Sequence, residues 1–315
     1  MNLLSEIILI NKYLKEKQLE IDNFLNTHLP TVEEKPSIIF EAIRYSIFAG
    51  GKRIRPIISL MVNEMLEGKK ELVLFPACAI ELIHTYSLIH DDLPALDNDD
   101  FRRGKESSHK KFGEAIAILS GDALLTMAFQ WISFAKHKPE VVVKMIHSVS
   151  KAAGVWGMIG GQVADLESEG KINWTNNPTG NFNNHNNNLE NEKELEYIHL
   201  HKTAALIRES VMIGALTSEA NDLELKKCYE FGTLIGLAFQ VVDDILDVEG
   251  EQKTLGKSIG KDAKSNKLTY PAVYGMEYSK MKAQKLIDDS KEIISYFKNC
   301  ELLKQLADLI INRQN

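Results

Sequence analysis

Cysteine is scarce in this chain: Cys78, Cys228 and Cys300 are the only three in 315 residues, and they lie far apart. That excludes a disulfide framework and the close pairing of a zinc site, and it points to a reducing, cytoplasmic setting. Proline is also scarce, with 8 residues, which leaves room for long uninterrupted helices. Strand-like alternation bounded by turn pairs is nearly absent. An excess of positive charge is missing too. With 37 Lys and Arg against 44 Asp and Glu, the net charge is −7, which argues against nucleic acid or an anionic membrane as a partner. No apolar stretch reaches the roughly 20 residues needed to span a bilayer. The N-terminal apolar run is too short for a secretory signal and lacks the arginines of a transit peptide.

What the chain does have is helical periodicity. Apolar residues recur at three- and four-residue intervals over 3–25, 36–48, 55–68, 72–91, 114–135, 139–158, 193–217, 222–247, 267–274 and 277–311. Breakers such as Gly50-Gly51, Pro94, Gly104, Pro139, Gly170 and Gly250 fall between or near these segments. The expectation is an all-α bundle forming a single domain over 1–315. One low-complexity stretch, rich in asparagine and covering about 173–191, reads as a surface loop.

Two acidic clusters stand roughly 150 residues apart: His90-Asp91-Asp92-Leu-Pro94-Ala-Leu-Asp97-Asn-Asp99-Asp100, and Gln240-Val-Val-Asp243-Asp244-Ile-Leu-Asp247. Asp243 and Asp247 share a helix face, about 6 Å apart along the axis, while Asp244 is turned ~100° away, toward a neighbouring ion or a basic residue. In the first cluster Pro94 cannot donate to the carbonyl of His90, so the helix should bulge or end there and bring Asp97 back toward Asp91 and Asp92. Carboxylates this dense within apolar helix repel one another unless a cation intervenes. Oxygen-only ligands favour a hard ion, Mg²⁺ first, which usually completes its shell with substrate phosphates. A diphosphate substrate follows.

Cationic residues accompany these acids. Gly50-Gly51-Lys52-Arg53-Ile54-Arg55 puts flexible backbone before Lys52 and Arg55, three apart and on one helix face. His84 lies seven residues before Asp91, on the same face two turns away. Arg102 and Arg103 follow the first cluster, and guanidinium forks suit phosphate oxygens. Lys202, Thr203, Gln240, Lys257 and Lys267 complete the set.

These motifs resemble, together and in order, those of the trans-isoprenyl diphosphate synthases, most closely the bacterial-type farnesyl diphosphate synthases. They are Gly50-Gly-Lys-Arg-Ile-Arg-Pro56, Ser87 through Gly104, Gly160-Gly-Gln-Val-Ala-Asp165, His201-Lys-Thr203 and Phe239 through Asp247. The resemblance runs from about residue 36 to the C-terminus, apart from the Asn-rich stretch. It implies a helical fold around a central cavity, a homodimer, and head-to-tail condensation of isopentenyl diphosphate with dimethylallyl and then geranyl diphosphate. It further implies that Asp91, Asp92 and Asp97, with Asp243, Asp244 and Asp247, form the metal-binding set for three Mg²⁺, with Mn²⁺ as a substitute. By the same resemblance Arg102, Lys202, Lys257 and Lys267 hold the allylic diphosphate, and Gly51, Lys52, Arg55, His84 and Arg103 hold that of isopentenyl diphosphate. Thr203 and Gln240 would face the developing cation beside Lys202, and Asp165 would orient Lys202 or a metal-bound water. Tyr86, five positions before Asp91, and Ser87 would set product length. The pattern there resembles the C15, farnesyl type, with the C20, geranylgeranyl type as the alternative.

Overall fold

The structure, a computed structural model, describes residues 3–172, 188–254 and 268–313. These form two compact units, one comprising Met1–His147 with Ile213–Ala220, the other Ser148–Met212 with Asn221–Asn315. The fold is all-α, as the periodicity implies. Among the described residues the only strands are a two-residue antiparallel pair.

The first unit holds α1 (Leu3–His28), α2 (Ser37–Ile47), α3 (Ile54–Met65), α4 (Lys70–Asp91), the pair β1 (Phe101–Arg102) and β2 (Lys105–Glu106), α5 (Ser108–Phe112), α6 (Glu114–Ser133) and the start of α7 (Pro139–Ala153). Helix α4 is apolar on nearly every side, so it becomes the core helix, packed against α3 and α6. Ile80, Leu82 and Ile83 are fully enclosed, along with Ile57 and Leu60 of α3. Contrary to the sequence expectation, α4 and α6 are both long and apolar enough to cross a membrane by length and composition. The apolar surface of α4 is mostly buried within the protein, which gives its hydropathy a packing reason.

The second unit holds the rest of α7, α8 (Met158–Ser168), α9 (Asn188–Ile198), a π-helical segment (His199–Ala204), α10 (Ala205–Thr217), which runs on into the first unit after Met212, α11 (Asp222–Thr254), α12 (Tyr270–Tyr274), α13 (Met276–Ile294) and α14 (Glu301–Asn312). Helix α11 packs along α13 and α14, burying its Phe231, Ile235 and Ala238 in the unit that also encloses Ile287, Leu303 and Leu306.

Several boundaries differ from the sequence reading. The pattern over 277–311 is broken into α13 and α14, although no glycine or proline marks the break. The helix unwinds through tight turns at Ser295, Tyr296 and Phe297, and the reversal lets Phe297, Cys300 and the Leu303/Leu306/Ile310 stripe all be buried. Helix α7 stops at Ala153, where Gly154-Val-Trp-Gly157 interrupts it, and α8 was not anticipated as a separate helix. Helix α9 begins at Asn188, inside the stretch expected as loop; residues 173–187 lie outside the described ones.

One buried acid belongs to this packing and to no motif. Glu209 on α10 is 3% exposed and accepts a hydrogen bond from Ser148 Oγ at 2.7 Å. Burial pushes its carboxyl up to about 8, against the pull of Ser148 and Arg208. The folded state therefore holds a proton that the unfolded chain releases near its ordinary value of 4.5. Stability falls as pH rises between those values, by up to about 1.4 kcal/mol per pH unit. Glu209→Gln should flatten that slope, measured as urea midpoints at pH 5.5 and 8; an unchanged slope would show that Glu209 does not cause it.

Candidate active site

In the first unit, α4 ends at Asp91, and the chain folds back so that the Asp97 N–H donates to the Asp91 carbonyl at 2.8 Å and the Asp99 N–H to that of Asp92 at 3.2 Å. Proline 94 sits inside this turn, where an α-helix cannot continue. Asp91 is half-buried and Asp97 exposed. Asp92 is different: it is 2% exposed, and its Oδ1 accepts from Arg102 Nε at 2.9 Å and from Arg102 Nη2. Arg102 thus meets a carboxylate of the protein itself.

The hairpin that follows turns on Arg103 and Gly104, both in left-handed backbone conformation (φ 54° and 76°). This turn sends Arg103 onto the Gly50-Gly51 loop, where its Nη1 donates to the Gly50 carbonyl. Gly51 has φ 125°, and a Cβ there would lie 2.4 Å from Arg103 Nη1, so only glycine permits the contact. Gln18 Nε2 also donates to the Gly51 carbonyl, at 2.7 Å. Arg53 is buried, bonded to Asp22 (2.8 Å), Glu81 (2.9 Å) and the Ile47 carbonyl (2.6 Å), so it anchors the loop that carries Lys52 and Arg55. Neither Gln18 nor Arg53 was anticipated. The lone Glu81 in an apolar helix was the available signal, because a buried acid demands a partner. Burial and the charges of Arg55, Arg103, Arg53 and Arg102 hold the His84 imidazole well below its usual range, hence neutral. Arg55 and Arg103 place positive charge beside His84, a setting suited to an anion.

Tyr86 is 5% exposed, edge-on to His90, and its hydroxyl has no hydrogen-bond partner among the described residues. Burial, reinforced by Asp91, pushes that hydroxyl up to about 12. Ser87 spends its hydroxyl on its own helix, donating to the His84 carbonyl at 2.9 Å.

In the second unit the π-helical segment carries Lys202 and Thr203. One extra residue in the turn re-aims side chains, and such bulges often mark functional positions. Lys202 Nζ donates to Asp165 Oδ2 on α8, so Asp165 orients it. Gly161, one turn earlier, lets α8 approach so closely that a Cβ would lie 2.2 Å from the Lys202 amide nitrogen. Thr203 Oγ1 donates to Gln240 Oε1, and Gln240 Nε2 donates to Asp244 Oδ1 at 2.9 Å. Asp244 Oδ2 accepts the Tyr270 N–H at 2.9 Å and lies 3.2 Å from His199 Nε2.

Asp244 was expected among the metal ligands. In this structure the carboxylate is 5% exposed and both its oxygens are engaged by protein donors. Asp243, half-buried, and Asp247, exposed, occupy the open side of α11. Asp243 Oδ1 accepts from Arg313 Nη2, and Arg313 also donates to the Phe239 carbonyl at 2.9 Å and lies over the Phe239 ring. Arg313, His199 and Tyr270 were not foreseen; no motif marks them. Lys257 and Lys267 lie outside the described residues.

Among the described residues no three His, Cys, Asp or Glu side chains converge on one point. Mg²⁺ is commonly held by one or two carboxylates plus waters and phosphate oxygens. Of the six aspartates expected to hold metal, Asp91, Asp97, Asp243 and Asp247 are at least partly exposed.

A family model described as polyprenyl synthetase matches residues 36–309. The chain belongs to that family. It is a prenyltransferase of all-α fold, and the family match spans both units. The geranylgeranyl diphosphate synthase of Cyanophora paradoxa is 44% identical over 306 residues, 96% of each chain. The chloroplastic geranylgeranyl pyrophosphate synthase of Capsicum annuum is 42% identical over 307 residues, covering 96% of this chain and 78% of that one. A solved structure of an FPP/GFPP synthase from Zymomonas mobilis superposes with a TM-score of 0.82 at 32% identity, over 97% of this chain and 99% of that one.

The close approach at Gly161 can be tested directly. Gly161→Ala should cost about 1–3 kcal/mol through overpacking against the Lys202 backbone, read from urea denaturation; a neutral effect would show that α8 can move away.

Proposed function

We propose that this prenyltransferase is a Mg²⁺-dependent geranylgeranyl diphosphate synthase, adding isopentenyl units to dimethylallyl diphosphate through geranyl and farnesyl stages. The C20 product replaces the C15 expectation drawn from the sequence. The observation that carries it is identity of 42–44% along 96% of the chain with two proteins named for geranylgeranyl diphosphate. A C15 reading keeps one specific support, the bulky buried Tyr86 five positions before Asp91.

In this reading Lys52, Arg55 and Arg103 hold the diphosphate of isopentenyl diphosphate, and neutral His84 offers a hydrogen bond beside them. Arg102 and Lys202, with Lys257 and Lys267, hold the allylic diphosphate. Asp91, Asp97, Asp243 and Asp247 would hold the ions, with Asp92 fixing Arg102. Bound Mg²⁺ supplies charge neutralisation of the departing diphosphate. Preorganised cations do the same from the protein side. Thr203 directs its oxygen at the allylic cation, with Gln240 bonded behind it. The double bond of isopentenyl diphosphate attacks it, and the final proton leaves to the diphosphate, so no dedicated general base is needed. A homodimer belongs to the proposal, because α6 leaves Ile118 and Leu119 43% and 52% exposed.

Purified protein given Mg²⁺, isopentenyl diphosphate and dimethylallyl diphosphate should yield mainly C20 product, and none with EDTA. Mainly C15 product would restore the farnesyl reading; absence of any chain growth would sink both. Tyr86→Ala should lengthen the product if the ring bounds the growing chain, and an unchanged product profile would remove it from that role.

A further inference from the structure

The buried member of the second acidic motif is placed to act on the chemistry without touching the metal or the substrate. We infer that Asp244 is a positioning residue that fixes the polarity of a hydrogen-bond chain ending at Thr203, so that Thr203 presents an oxygen lone pair, and not a proton, to the reacting allylic group. This rests on the prenyl-transfer reading above.

The argument starts from a group that cannot reverse. The Tyr270 backbone N–H can only donate, and it donates to Asp244 Oδ2 at 2.9 Å, where His199 Nε2 also lies at 3.2 Å. The other carboxylate oxygen, Oδ1, accepts from the amino end of the Gln240 amide, with Nε2 at 2.9 Å. An amide has one donor end and one acceptor end, so Oε1 must face the other way, toward Thr203. Thr203 has a single hydroxyl proton, and Oγ1 donates it to Gln240 Oε1. Nothing but lone pairs is then left on the remaining side of that hydroxyl.

This arrangement suits a carbocation. A bare carboxylate beside the cation would capture it or take its proton. A neutral hydroxyl whose negative end faces outward stabilises positive charge and is a poor trap. Each bond in the relay polarises the next, so some of the influence of the Asp244 charge reaches Thr203 while the carboxylate stays enclosed at 5% exposure. His199 and Thr203, four apart on the π-helical segment, meet Asp244 and Gln240, four apart on helix α11.

Asp244→Asn tests this with almost no change in shape. Its oxygen must stay with the Tyr270 N–H, so its amino group faces Gln240. Gln240 then turns over, and Thr203 becomes an acceptor with its proton outward. The expected loss in kcat is roughly 10- to 100-fold, with KM for both diphosphates and the half-saturating Mg²⁺ concentration within about threefold of wild type. In a Thr203→Val background the same change should cost less than about threefold, because the relay has no end to act through. By calorimetry, Mg²⁺-dependent binding of a bisphosphonate should survive Asp244→Asn within about threefold and collapse in Asp243→Asn. Should Asp244→Asn fail to fold, Gln240→Met cuts the relay while leaving the Tyr270 and His199 bonds in place, and it must reproduce the kcat loss and the non-additivity with Thr203→Val. Additive losses, or bisphosphonate binding lost as in Asp243→Asn, would overturn the inference and return Asp244 to the metal. A wild-type protein that binds no bisphosphonate with Mg²⁺ would instead overturn the functional reading beneath it.

Discussion

A carboxylate inside a helical bundle has to be answered by donors, and each of the two acidic motifs puts one there. Asp92 is answered by Arg102, Asp244 by Gln240, Tyr270 and His199. The cost of burying a charge is what makes these contacts obligatory. It follows that the middle acid of each motif is a fastening, while the outer acids stay at least partly exposed. In the first unit the fastening holds the hairpin end that brings Arg103 to Gly50. In the second it ties α11 to the π-helical segment and to the start of α12.

The same division appears among the cations. Arg53 looks like its neighbours Lys52 and Arg55 in the sequence, but it is buried between Asp22 and Glu81 and serves the loop rather than a ligand. Lys52 is exposed, and Arg55 contributes to the potential that keeps His84 neutral. A run of basic residues is thus split by burial into one enclosed anchor, one half-buried group and one exposed group.

Much of this was legible in the chain. The 3.6-residue pattern located α3, α4, α6 and α11, and the proline rule placed the end of α4 before Pro94. The wheel around Asp243 separated Asp244 from its partners and left it to an ion or a basic residue; the basic residue it meets is His199, joined by the Gln240 amide and the Tyr270 N–H, which the wheel did not indicate. What could not be read was set by tertiary packing. Nothing local marks the break between α13 and α14, because the periodicity continues through it. The π-helical segment leaves no compositional trace. Arg313 meets Asp243 across 70 residues, and no pattern in either neighbourhood announces it.

The π-helical segment also gives the chain a tolerance that its continuation lacks. Its widened turn holds one residue more than an α-turn, so removing that residue would restore an ordinary helix and leave the later positions of α10 facing as they do. A deletion further along α10 has no such turn to absorb it and would swing every following position by ~100° about the axis. Val211, Ile213 and Ala215, all fully enclosed, lie where such a rotation would set side chains against the wrong neighbours.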